Sequence, residues 1–367
     1  MEHILLRLSS TFSSSTNDLI GIDSPVEELI TLYLGLGDSV CMTGIVGTGG
    51  IGKTTLARVI YETKRNNFDG SSFIFDVREV SYKHGLVQLQ KQLLGQILEE
   101  RNIDIWDVYV GVDMIKRRLH HKKVLLVLDD VNDLDQLKIL VGQCCWFGSG
   151  SWIIITTRDE HLLRHHEVHN IYQLAPLNDY DSLKLFCLKA FKNVQPEENY
   201  LNPSINIINQ ANGHPLTLVT MASILARRSI VEWKSALKSF SRFHNQYIFD
   251  LLQFAYDKLE DMWKEIFLDI ACFFCGKEKG HVIEILENCG FNARIGICAL
   301  VDVSLVDIRN NKLWMHDLVK KLGRYIVSQE SKWPGECSRL WRSWDLRHVL
   351  MKNNVRTLCH YLFYGQD

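Results

Sequence analysis

The sequence predicts a parallel α/β domain, followed by an all-α subdomain and then a winged-helix subdomain. Three observations carry this. In the first half, continuous Val/Ile/Leu runs alternate with helical patterns, which is how a sheet covered on both faces reads. After Leu174 the pattern becomes helix alone. From Cys298 a hairpin pattern follows the helices and precedes one more.

Taken in order, 38–46 reads as a buried strand and 54–64 as the helix after it. A second strand is expected over 71–80, then helices over 85–100 and 112–119, where apolar residues fall at helical spacing. KKVLLVLDDV (122–131) is a continuous apolar strand ending in two acids, and SWIIITTR (151–158) is another ending in Arg158. The helical part opens with an acidic first turn at 179–191. SINIINQANG (204–213) ends in Gly213 and Pro215 opens the next helix, the expected asymmetry of helix ends. Two apolar helices are expected within 247–274. The segments 298–308 and 312–316 read as a hairpin turning at Asn310-Asn311, and 318–327 as a helix. The expected organisation is a linker over 1–20, a nucleotide-binding domain over 21–173, a helical subdomain over 174–247, a winged-helix subdomain over 248–330 and a tail over 331–367.

The chemistry is concentrated at Gly47-Thr48-Gly49-Gly50-Ile51-Gly52-Lys53-Thr54, which matches G-x-x-x-x-G-K-[ST] at every fixed position. A phosphate chain is cradled by backbone N–H groups, so the backbone must approach closely and adopt unusual dihedrals, and glycine permits both. The following helix aims its unpaired N–H groups and positive dipole end at the same phosphates. Lys53 adds a point charge at the β- and γ-phosphates, and the Thr54 hydroxyl can enter a Mg²⁺ shell. Such a loop between strand and helix makes the first domain a P-loop NTPase.

Two acids closing a buried strand are costly unless they act. Asp129 is placed to hold Mg²⁺, and Asp130 to position or deprotonate a water. Strand C-termini face the ligand crevice in this fold, so Arg158 can sense a γ-phosphate. Asp129, Asp130 and Arg158 are therefore the candidate catalytic residues, with Thr54 and Asp129 as metal ligands.

These residues occur in a longer series that resembles the NB-ARC module of plant intracellular immune receptors, of the STAND class of NTPases. From about 17 to 350 the motifs arrive in family order: DLIGIDSPVEEL (18–29), GTGGIGKTT (47–55), FIFDVREVS (73–81), KKVLLVLDDVND (122–133), GSGSWIIITTRDEHLL (148–163), NGHPLTL (212–218), FLDIACFF (267–274) and WMHDL (314–318). FLDIACFF and the Asp-rich end of the fourth motif are similar to the subclass with an N-terminal TIR domain. Thr48, Trp152 and His214 depart from the family pattern, where Met, Arg and Leu are usual.

The resemblance implies ADP or ATP with Mg²⁺ as cofactors. It places Ile22 and Asp23 near base and ribose, and Gly47, Gly49, Gly50, Ile51, Gly52, Lys53, Thr54, Thr55 and Arg158 along the phosphates. It also implies that Pro215 packs near the adenine and that His316 reaches the ADP β-phosphate. Read by itself, Met315-His316-Asp317 lies where a strand ends and a helix begins, and Asp317 can cap that helix. No TIR domain precedes residue 17 and no leucine-rich repeats follow 350, so the expectation is a central module alone, without NAD hydrolysis.

Composition narrows the alternatives. A net charge of -2 and no basic recognition helix argue against nucleic acid, and no apolar run reaches a membrane span of about 20 residues. Ten scattered cysteines suit reduced, buried thiols in a cytoplasmic or nucleocytoplasmic protein. Cys272 and Cys275, with Cys289 and Cys298 beyond, lack zinc-ligand spacing. The expected function is a nucleotide-operated switch of plant innate immunity, closed with ADP and open with ATP, hydrolysing slowly at most. On activation it would engage copies of itself or other immune receptors. The competing readings are a turnover ATPase and an adaptor that pairs with TIR-bearing receptors.

Overall fold

The computed structural model describes residues 19–347, apart from 36, 169, 194, 195, 197, 241–246, 332, 334, 335, 343, 344, 346. Most of the expected linker and the end of the tail lie outside these residues. The chain divides into two units, the first ending at Pro176 and the second starting at Leu177.

The first unit is a sheet with helices on both faces. In chain order it contains α1 (Asp23–Gly35), β1 (Cys41–Val46), α2 (Lys53–Lys64), β2 (Gly70–Ile74), α3 (Val77–His84), α4 (Leu86–Leu98), α5 (Val108–Leu119), β3 (Val124–Val131), α6 (Leu134–Leu140), β4 (Trp152–Thr157), α7 (Glu160–His165) and β5 (Asn170–Gln173). The strands are all parallel in the order β2-β3-β4-β1-β5. The apolar runs serve both faces by alternation. Leu126 and Leu128 of β3 join Ile153 and Ile155 of β4 in one core, with Leu89 and Leu93 of α4. Leu125 and Val127 join Ile154 and Trp152 in the other, with Leu56 and Ile60 of α2. Trp152, one of the departures from the family pattern, is fully buried. Its ring stacks on Tyr33 with centroids 4.4 Å apart, and its Nε1 donates to Thr43 Oγ1 at 3.0 Å.

The second strand is shorter than expected. It ends at Ile74, and Val77–His84 is helical, because Asp76 takes a left-handed backbone at φ 50 and turns the chain. Val77 alone of that helix is fully buried, Arg78, Glu79 and Ser81 are half-buried, and Lys83 and His84 are exposed.

The second unit opens with α8 (Asp179–Phe191), α9 (Glu198–Ala211), α10 (Pro215–Leu225) and α11 (Ile230–Phe240). Trp233 anchors them, stacked on Phe191 and meeting Phe186 and Tyr200 edge-on, with its Nε1 donating to Leu225 O at 2.9 Å. His214 caps α10: its Nδ1 accepts from Thr217 N at 3.4 Å. A histidine can thus replace the family's leucine there while Pro215 keeps the first helical position.

Next come α12 (Tyr247–Asp257), α13 (Asp261–Asp269), a π-helical turn (Ile270–Phe274), α14 (Lys279–Asn288), α15 (Ala293–Asp302), the antiparallel hairpin β6 (Asp307–Arg309) and β7 (Lys312–Trp314), and α16 (Asp317–Glu330). The expected hairpin holds at its turn, where Asn310 and Asn311 both have positive φ. Its first strand is shorter than expected. Residues 298–302 are helical, since Ile297 and Leu300 bury one helical face, and Ser304 then breaks left-handed at φ 58. The tail begins by folding back. Arg339, 5 % exposed, donates through Nε to the fully buried Asp269 Oδ1 at 2.6 Å, and its NH2 meets Glu265 Oε2 at 2.8 Å.

All nine described cysteines are free thiols. Burial pushes Cys272 up to about 12. Cys41, Cys187, Cys272 and Cys337 are buried as expected, whereas Cys144, Cys145, Cys289 and Cys298 are exposed.

Candidate functional site

The glycine-rich loop leaves the end of β1 and delivers the chain into α2. Gly50 and Gly52 have φ of 88 and 111, values that side-chain-bearing residues resist. A Cβ on Gly47 would meet Ile51 Cγ2 at 3.0 Å, so the loop closes tightly there. Lys53 starts α2, is 8 % exposed, and donates through Nζ to Gly47 O at 2.7 Å and Thr48 O at 2.9 Å. The ammonium is thereby held inside the loop by the loop's own carbonyls. Ile22 packs into the same apolar cluster as Ile51 and Leu174, beside the exposed Asp23 at the start of α1.

The strand order places β4 between β1 and β3, so the end of β4 lies between the loop and the two acids. Thr54 Oγ1 donates to Asp129 Oδ1 at 2.8 Å, and Thr156 Oγ1 donates to the same oxygen at 2.7 Å. Asp129 is 6 % exposed. Burial raises its carboxyl above the ordinary carboxylate value, against the two hydroxyls that favour the charged form.

Asp130 sits at a bulge. Leu128 pairs with Ile155 but Val131 with Thr157, so β3 carries one residue more than β4. Asp130 takes a left-handed φ of 54, and its N–H donates to Thr156 Oγ1 at 2.9 Å. Its carboxylate meets two guanidiniums, Arg78 NH2 at 2.7 Å and Arg158 Nε at 3.5 Å. Nothing local in the sequence marks Arg78 as a site residue. It lies on α3, in the stretch the sequence reads as strand, and only the fold brings it to Asp130.

Pro215 and His316 belong to the second unit. His316 is exposed and is itself the cap of α16, its Nδ1 accepting from Leu318 N at 3.1 Å. This corrects the expectation that Asp317 caps that helix: Asp317 is its first residue. With Nδ1 accepting an amide proton, the neutral ring carries its own proton on Nε2.

The first unit's residues fit a nucleoside phosphate chain with Mg²⁺. The left-handed glycines form a cradle, the lysine is preplaced, and the Thr54 hydroxyl already adjoins the Asp129 carboxylate. Asp129→Asn tests what the buried carboxylate costs the fold. Because the folded carboxyl is raised, folding is weakened once the pH rises through the carboxylate range into neutrality, and the penalty is absent below it. In EDTA at pH 7 the variant is expected to melt higher than the parent. The gain should shrink as the pH approaches ~4, and Mg²⁺-dependent ATP binding should be lost. Differential scanning fluorimetry at both pH values checks this, and an unchanged or lower melting temperature at pH 7 refutes it.

A family model described as the NB-ARC domain matches residues 22–195, and one described as the Roq1-like disease resistance protein winged-helix domain matches 260–331. Among curated relatives, TMV resistance protein N of Nicotiana glutinosa is 40% identical over 98% of this chain and 31% of its own length. Disease resistance proteins RPV1 and RUN1 of Vitis rotundifolia are 41% and 38% identical, over 91% and 95% of this chain and 24% and 26% of their own lengths. The chain thus spans about a third or less of these relatives. A signal transduction ATPase with numerous domains from Pyrococcus horikoshii, bearing a tetratricopeptide repeat sensor, aligns over 90% of this chain and 46% of its own. Its TM-score is 0.50 at 17% identity, a likeness of fold alone.

Proposed function

We propose, on the premise that this chain belongs to the NB-ARC family of plant disease resistance proteins, that it is an ADP/ATP-operated switch in plant innate immunity. The observation that carries the proposal is the Thr54–Asp129 hydrogen bond at the foot of the glycine loop. It joins the hydroxyl and the carboxylate that a Mg²⁺-nucleotide needs, in a buried position where an unused acid is costly.

In this reading the N–H groups of Gly49, Gly50, Ile51 and Gly52, with those of Thr54 and Thr55, bind the phosphates. Lys53 exchanges its carbonyl partners for phosphate oxygens. Ile22 and Asp23 lie by base and ribose. When bound, Mg²⁺ supplies charge neutralisation along the phosphates. Thr54 and Asp129 hold it, Asp130 orients a water, and Arg158 answers to the third phosphate. Turnover is slow at most, because the role is to reset the switch. Pro215 and His316, from the helical (174–247) and winged-helix (248–330) parts, complete the closed ADP form, with the His316 Nε2 proton as donor to the β-phosphate. Exchange for ATP works only through differential affinity for the closed and open forms. The open form then engages copies of itself or other immune receptors, in the cytoplasm or between cytoplasm and nucleus.

The test is the nucleotide content of the purified chain, released by denaturation and resolved by ion exchange. About one ADP per chain is expected, as the stoichiometry of a single phosphate loop. His316→Ala is expected to release it faster. A folded chain that carries no nucleotide and takes up none when offered Mg²⁺-ADP would sink the proposal.

A further inference from the structure

The ends of β2, β3 and β4 lie side by side, and each contributes one member of a charge cluster. Arg78 follows β2, Asp130 ends β3, and Arg158 follows β4. The side chains are 24%, 18% and 30% exposed, so all three are partly withdrawn from water. The two contacts are unequal. Arg78 holds Asp130 Oδ2 at 2.7 Å, whereas Arg158 Nε stands 3.5 Å from Oδ1. The point from which the carboxylate projects is fixed by the left-handed bulge and by the Asp130 N–H tied to Thr156 Oγ1.

We propose that Arg78 is a specificity-determining residue that sets the preference for ATP over ADP. This rests on the nucleotide reading above. A third phosphate draws Arg158 from Asp130. That transfer would strip a part-buried carboxylate of its cation, at a cost the nucleotide has to meet. Arg78 removes the cost by keeping the carboxylate paired after Arg158 leaves. ADP has no third phosphate and makes no demand on Arg158, so Arg78 is nearly neutral toward it. An Arg78–Asp130 pair that served only the fold would instead move both affinities together, or neither.

The experiment measures ATP and ADP affinities of the full chain in Mg²⁺ by equilibrium fluorescence titration of labelled nucleotides. Arg78→Gln and Arg78→Met are compared with Arg158→Gln and with the double variant R78Q/R158Q. Two replacements at 78 guard against one that folds poorly, and melting temperature in the absence of nucleotide checks the fold. Arg78→Gln and Arg78→Met are expected to weaken ATP about five- to tenfold, the scale of one partly exposed charge contact, with ADP changed less than about twofold. The double variant is expected to bind ATP no worse than Arg158→Gln, because Arg78 acts through Arg158. An unchanged ATP/ADP ratio, equal loss of both nucleotides, or multiplicative losses in the double variant would overturn the proposal while leaving the switch intact. An unsubstituted chain that binds neither nucleotide overturns the switch and this proposal together.

Discussion

Lys53→Ala is expected to strip the chain of bound nucleotide. The ammonium is a side-chain charge enclosed by the loop, held by Gly47 O and Thr48 O at 2.7 and 2.9 Å. Both of these acceptors are backbone carbonyls that water can satisfy once the lysine is gone, so the fold should persist. The phosphates have no such replacement. Losing a charge-assisted contact to phosphate at a buried position costs roughly 2–3 kcal/mol, or a 30- to 150-fold weaker complex. Nucleotide retained through purification should fall from near stoichiometric to a few per cent, read by the ion-exchange assay above. A Lys53→Ala protein that still elutes with one ADP per chain would remove the loop from the site.

Arg339→Ala is expected to have the largest effect on stability. Burial alone would lower the Arg339 guanidinium, but Asp269 and Glu265 beside it hold it above its ordinary value. Its removal leaves Asp269 fully buried and without that cation. Breaking such a pair from one side costs about 3–5 kcal/mol. In a unit of this size that lowers the melting temperature by roughly 6–20 °C. Combining it with Asp269→Leu should recover most of the loss, since the penalty belongs to the orphaned charge. Thermal unfolding followed by circular dichroism measures both, and a single variant that melts within about 2 °C of the parent would contradict the account.

What the sequence disclosed, and what it hid, divides along one line. The phosphate loop was legible because its demands are local: four glycines, a lysine and a threonine act within a few residues of one another. The helix α8 was read at its true bounds, Asp179–Phe191, because an acidic turn and an apolar stripe are both written in that segment. β3 and β4 were legible as continuous apolar runs. By contrast β5 has four residues, none of them buried, and no apolar run to announce it. The bulge at Asp130 exists only through pairing with β4. Arg78 required the crossover that sets β2 beside β3. Arg339 is 70 residues from the aspartate it neutralises. The caps at His214 and His316 were hidden for another reason, since histidine is not among the favoured capping residues.

The bulge also limits which amino acids evolution can place at position 130. A left-handed backbone is tolerated by glycine and, among residues with side chains, most readily by asparagine and aspartate. Glutamate, the longer acid, is favoured less there, although Glu99 and Glu167 of this chain also take a φ of 57. An acid is needed at this point to meet two arginines, and of the two acids aspartate is the one a left-handed backbone favours. The consecutive aspartates that close β3 thus answer to different demands: Asp129 to the two hydroxyls that donate to it, and Asp130 to the turn of the chain as much as to its charge. Any lineage that restored the plain β-ladder there would be released from that choice, and would lose the geometry that presents one carboxylate to both guanidiniums.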